Sequence, residues 1–252
     1  MLPEERQNTI VQLVNELGAV NVKELSARFA VTEDSIRKDL TLLQRNGRLK
    51  KTYGGALKIE PDDDHFVSQR KRKYRPAKQK IAKKVLKLLK NGDTIFLDIS
   101  TTNIEVAKLL KTSGLSLTVV TNMIDVMLAM RGDEHNRLIF IGGTFSEGSD
   151  GFVGALANRE IARYHYDKAF LGVVGLDLAA REATTYTPED ATTKETILRH
   201  ASERYLLLES RKVGKDSACI YSDLTGLTGV LTEKELEEET VEKLKKLGIS
   251  CI

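Results

Sequence analysis

Along the first part of the chain, apolar positions recur every three or four residues. In PEERQNTIVQLVNELGAV, Ile10, Leu13, Val14 and Leu17 fall on one face, which predicts a helix opened by Pro3 and two glutamates and ended by Gly18. Asn21 is placed to cap a second helix, with Glu24 three positions on and Val22, Leu25 and Phe29 facing inward. Ala30 and Val31 make a short turn and Thr32 caps a third helix. Its buried stripe is Ile36, Leu40 and Leu43, and Gly47 stops it. Three helices of this length, with a tight turn between the last two, describe a helix-turn-helix unit. The segment RLKKTYGGALKI then alternates weakly and turns at Gly54-Gly55, as a two-stranded wing does.

Farther along, short apolar runs alternate with helical patterns. Strands are expected at 94–98, 117–121, 137–143, 168–177, 204–210 and 218–222. Helices are expected near 103–111, 123–131, 155–165, 188–202 and 233–247. This order predicts an α/β fold with a parallel sheet covered on both faces. The expected organisation is a winged helix-turn-helix domain over residues 1–58, a linker over 59–76, where composition turns from acidic to basic, and an α/β domain over 77–252.

Charge sharpens the picture. The net charge of +3 hides an asymmetry: residues 1–90 carry 21 Lys and Arg against 11 Asp and Glu, and the remainder 18 against 25. A basic front and an acidic rear point to a polyanion bound by the front alone. The third helix is expected to present Ser35, Arg37, Lys38, Thr41 and Arg45 to the major groove of duplex DNA, with Thr32 at its start. Arg48, Lys50 and Lys51 of the wing are expected along phosphates. From His65 to Lys90 there are 11 Lys or Arg and no acidic residue, and much of that run is the wet face of a helix. The two cysteines, Cys219 and Cys251, lack metal-ligand spacing and suit packing in a reducing cytoplasm. No metal, cofactor, signal peptide or membrane span is expected.

Ligands of doubly wound sheets collect at the carboxyl ends of the strands. There the sequence sets Asp98 with Ser100, Thr101 and Thr102, then Asn122, Gly142-Gly143, Asp177 and Lys212. Hydroxyls and N–H groups at a helix start suit a phosphate, and amide, carboxylate and lysine suit a polyhydroxylated anion such as a sugar phosphate.

Two segments carry a resemblance. ERQNTIVQLVNELGAVNVKELSARFAVTEDSIRKDLTLLQRNGRLKKTYGGA resembles the winged helix-turn-helix of DeoR-type bacterial regulators, matching at Arg6, Ile10, Val14, Thr32 and Ile36 to Leu40, with Ser35 where that family usually has Thr. Asp98 to Thr102, Val120 to Asn122, Gly142-Gly143 and Asp167 to Gly172 resemble its effector domain, with Ser100 for Gly and Glu209-Ser210-Arg211-Lys212 for an Asp-Ser-Ser/Thr-Lys run. The resemblance implies a Rossmann-like sensor related to sugar-phosphate isomerases. It implies a repressor of a carbohydrate-utilisation operon, a homodimer or homotetramer on operator DNA, with a phosphorylated sugar as effector. The alternative is a sugar-phosphate isomerase or deaminase using Asp98, Asp177 or Glu189. Against it, LAARE after Asp177 holds no Gly-rich lysine loop. A third class is an RNA-binding or architectural protein indifferent to sequence.

Overall fold

The structure, a computed structural model, describes residues 2–46, 48–58, 67–146 and 148–252. It divides into two compact units, Met1–Lys73 and Tyr74–Ile252.

The first unit runs α1 (Pro3–Leu17), β1 (Ala19–Asn21), α2 (Val22–Phe29), α3 (Glu33–Arg45), β2 (Lys50–Thr52), β3 (Gly55–Leu57) and α4 (Val67–Arg72). Local chemistry fixes the helix ends. Gly18 leaves α1 at φ 79°, Asn21 caps α2 by accepting the Lys23 N–H at 2.8 Å, and Thr32 caps α3 by accepting the Ser35 N–H at 3.2 Å. Ala30, left-handed at φ 52°, closes the tight turn. Ile10, Val14, Leu25, Ile36, Leu40 and Leu43 form the core with Leu49, so the expected stripes meet. The wing gains a strand: β1 pairs antiparallel with β3, giving the order β1-β3-β2. Part of the expected linker is helical, as α4; Gly47 and residues 59–66 lie outside the described residues.

The second unit continues with α5 (Arg75–Leu88), β4 (Thr94–Leu97), α6 (Thr101–Leu110), β5 (Thr118–Thr121), α7 (Ile124–Met130) and β6 (Arg137–Phe140). A hairpin, β7 (Thr144–Ser146) and β8 (Gly151–Val153), leads to α8 (Ala155–Ile161), β9 (Tyr166–Gly172), β10 (Gly175–Asp177) and β11 (Glu182–Thr185). Then come α9 (Pro188–Arg199), β12 (Ala201–Leu207), β13 (Cys219–Ser222), β14 (Gly229–Leu231), α10 (Glu238–Lys246) and β15 (Ser250–Cys251). Seven strands form a parallel sheet in the order β15-β14-β12-β9-β4-β5-β6. The chain builds outward from β4 through β5 to β6, returns to lay β9 on the other side of β4, and builds outward again. The topological switch therefore lies between β4 and β9, where such sheets bind ligands.

Two expected strands are corrected. The run 168–177 is not one strand: β9 ends at Gly172 and β10 begins again in a small antiparallel sheet, β10-β11-β13. The strand at 218–222 belongs to that small sheet too. Both cysteines are reduced, partly buried and packed against the main core.

Candidate functional site

On the helix-turn-helix unit, α3 and the wing hold most of the sequence-expected DNA-facing residues. Thr32 and Ser35 face each other across the first turn, with their hydroxyl oxygens 3.0 Å apart. Arg37 and Lys38 are exposed, as is Lys50. Arg37 is already occupied: Nη2 donates to Glu33 Oε2 at 2.6 Å and Nη1 to Asp34 Oδ1 at 2.9 Å. Thr41 donates to the Arg37 carbonyl and accepts from Lys51 Nζ, both at 2.7 Å, so Lys51 ties the wing to the helix. Gln44, unnoticed in the sequence, accepts the Lys51 N–H at 2.9 Å, and Arg48 donates to Asn8 at 2.7 Å. The side chain of Arg45 lies outside what is described. Arg6 and Asp39 of the motif pair at 2.6 Å, and Gln7 donates to Asp39 as well. Asp39 is buried, so this cluster pins α1 to α3.

At the switch point of the large sheet, Asp98 follows β4 and is 1% exposed. Its oxygens take the Gly172 N–H at 3.0 Å, the Asn103 amide at 2.8 Å and the ammonium of Lys194. Burial pushes the Asp98 carboxyl up from its ordinary value, opposed by Lys194 and the Gly172 N–H. Lys194, itself buried on α9, also lies 3.8 Å from Asp190 and 5.5 Å from the centre of the Tyr221 ring. Burial and the Asp98 charge hold the Tyr221 hydroxyl protonated, and it donates to the Gly172 carbonyl at 3.2 Å. Asp98 is thus spent on protein donors and fixes the start of α6, beside which Ser100, Thr101 and Thr102 are buried. Ser100 caps that start by accepting the Thr102 N–H at 3.2 Å. Gly172 lies so close to Ser100 that a Cβ there would stand 2.6 Å from the Ser100 Cβ.

Asn122 follows β5 and gives its amide N–H to the Phe152 carbonyl at 2.8 Å. Among the described residues its buried Oδ1 has no hydrogen-bond partner. Gly142 is open, and Gly143 packs on Ala157 and the Val153 carbonyl. Lys212 stands beside the end of β9, donating to the Val173 carbonyl at 2.7 Å, with Glu209 3.6 Å away. Asp177 ends β10, in the small sheet, and closes the turn to β11 by accepting the Ala179 and Ala180 N–H groups. Lys194, Asn103 and Tyr221 were not singled out in the sequence, and Gly172 and Glu209 entered only as parts of matched runs. Lys194 left one signal: it shares the inward stripe of α9 with Ala191 and Leu198, an unusual place for an ammonium. Among the described residues there is no cluster of three metal-ligating side chains and no helix long and apolar enough to cross a membrane.

Comparison with known proteins agrees with this division. The profile of the DeoR-like helix-turn-helix domain matches residues 6–62, and that of the DeoR C terminal sensor domain matches residues 74–234. An uncharacterised HTH-type transcriptional regulator of Bacillus subtilis (strain 168) is 32% identical over 256 residues, covering 100% of this chain and 98% of its own. A lactose phosphotransferase system repressor of Staphylococcus epidermidis (strain RP62A) is 31% identical over 96% of both chains. A repressor of the same name from Streptococcus mutans (strain UA159) is 30% identical over 98% of both. These relatives are named as regulators and not as isomerases. Among solved structures, ribose 5-phosphate isomerase A from Methanocaldococcus jannaschii shares 18% identity over 54% of this chain and 53% of that one, at a TM-score of 0.40. The sorbitol operon regulator SorC from Klebsiella pneumoniae shares 12% over 82% and 89%, at 0.34. Likenesses this remote carry no conclusion about ligand or activity.

Proposed function

We propose that this chain, which belongs to the DeoR family of transcription regulators, represses a carbohydrate-utilisation operon and changes its grip on operator DNA when a phosphorylated sugar binds. The observation that carries the effector half is the start of α6. Its N–H groups and hydroxyls stand at the topological switch of a parallel sheet, held there by Asp98, Asn103 and Gly172. In this reading the α6 start takes the phosphate. Asn122 Oδ1, a buried acceptor in want of a donor, takes a sugar hydroxyl, with Gly142-Gly143 and Lys212 at the rim. Asp98 and Asp177 position loops and do not touch the ligand. The relatives named as lactose phosphotransferase system repressors support a carbohydrate operon as the target.

On the DNA side, Ser35, Arg37, Lys38, Thr41 and Arg45 of α3 meet the major groove behind the Thr32 cap, and Arg48, Lys50 and Lys51 meet phosphates. Paired half-sites imply a homodimer or homotetramer, working in the cytoplasm. Coupling between sites in such proteins is typically about 1–3 kcal/mol, or roughly 5 to 150-fold in DNA affinity. Thermal unfolding of the full chain with ribose 5-phosphate, glucosamine 6-phosphate and other hexose phosphates tests the effector half. One of them is expected to stabilise the chain by about 2.7 kcal/mol at a hundred times its dissociation constant. A free sugar that stabilises as much as its phosphate, or no stabilisation by any phosphate, overturns it.

A further inference from the structure

We propose that Glu33 and Asp34 make Arg37 a reader of base edges and not of phosphates, by more than offsetting its single positive charge wherever the duplex offers no neutral pair of acceptors. The inference rests on the reading that α3 enters the major groove.

The geometry is a closed fork. Thr32 caps the first turn of α3, and the two acidic residues that follow stand one turn below Arg37, four and three positions back. Each takes a different nitrogen of the same guanidinium, Glu33 at 2.6 Å and Asp34 at 2.9 Å. Side-chain exposures of 47% for Arg37, 37% for Glu33 and 83% for Asp34 mean that these pairs add little to stability, about 0–1 kcal/mol. Their effect falls on whatever approaches the helix.

A phosphate brought to Arg37 must come to rest beside two carboxylates, and their repulsion offsets the attraction of the guanidinium. A guanine edge carries no net charge. Its O6 and N7 can take the fork from Arg37, while a freed carboxylate oxygen can accept the amino group of a neighbouring cytosine. Exchange at a base edge is therefore far less costly than exchange at the backbone. Lys38 and Lys50 differ: both are exposed, and among the described residues no carboxylate is paired with either. They supply the sequence-blind attraction, and Arg37 is withheld from it.

The test needs no knowledge of the operator. Binding of the full chain to a short random-sequence duplex is measured across a salt series for wild type, E33Q/D34N, R37A, K38A and the triple variant E33Q/D34N/R37A. E33Q/D34N is expected to bind at least about threefold tighter, with a log-log salt slope steeper by about 0.9. R37A should keep the wild-type slope, because Arg37 makes no phosphate contact, while its affinity falls as Glu33 and Asp34 then face the duplex unmatched. K38A should lose about 0.9 of slope, and the triple variant should give back the gain of E33Q/D34N. Unfolding curves of each variant show whether the fold is kept. Should E33Q/D34N fail to fold, R37A against K38A still decides. Equal affinity and slope for E33Q/D34N and wild type overturn the proposal, as does R37A flattening the slope as much as K38A. In either case wild type still binds DNA, so the reading beneath it stands. No binding by any form at low salt defeats that reading and this proposal together.

Discussion

Asp98 and Lys194 meet from positions 96 apart in sequence, and both are almost wholly buried. Taking two charges out of water is costly, and the cost is recovered only because the remaining valences are filled: Gly172 and Asn103 on the carboxylate, Asp190 and the Tyr221 ring near the ammonium. Removing one partner leaves the other buried and unmatched. Lys194→Met is therefore expected to destabilise the chain by about 3–5 kcal/mol in urea unfolding at neutral pH, and to abolish sugar-phosphate stabilisation by releasing the start of α6. A loss under about 1 kcal/mol would mean that water reaches Asp98 and the pair is an ordinary surface bridge.

At the scale of elements, the wing shows how one atom decides a strand pairing. A Cβ on Gly55 would stand 1.9 Å from the Val20 carbonyl oxygen, inside the β1-β3 pairing, whereas one on Gly54 would meet nothing within 4 Å. Gly55→Ala is expected to part the wing from β1 at a cost of about 1–3 kcal/mol and to weaken DNA binding. Gly54→Ala should leave unfolding and binding near wild type; equal losses for the two would show that the wing does not depend on β1. The same region marks what was legible beforehand. Caps at Asn21 and Thr32 and the stripe Ile36, Leu40, Leu43 are local signals, and the helices formed where those residues placed them. β1 is three residues long and its partner lies 34 to 38 positions away, so no local period marks it. The run KAFLGVVGLD is apolar throughout, and nothing in it marks that Gly172 must stop against Ser100. Of the sensor edge, the loops around Ser100–Thr102, Asn122 and Gly142-Gly143 were legible as strand ends. Lys194 was not, because its meaning depends on a contact that only the finished sheet creates.

At the scale of the whole molecule, the net positive charge lies on the helix-turn-helix unit: residues 1–73 carry 14 Lys and Arg against 11 Asp and Glu, while residues 74–252 carry 25 of each. Positive charge around α3 and the wing draws a polyanion over the first Debye length, about 8 Å at physiological salt. The sensor unit, balanced in charge, adds no comparable net pull on the same duplex. Sequence preference must then come from side chains that attraction alone does not engage, and the effector must alter that preference. The decisive experiment is selection of genomic fragments by the full chain against excess random duplex, repeated with each sugar phosphate that stabilises the protein. Retention of at least one fragment about a thousandfold or more over random DNA is predicted, with its affinity changed roughly 5 to 150-fold by one such sugar phosphate. Equal retention of all fragments, or a preferred fragment indifferent to every stabilising sugar phosphate, would contradict the account.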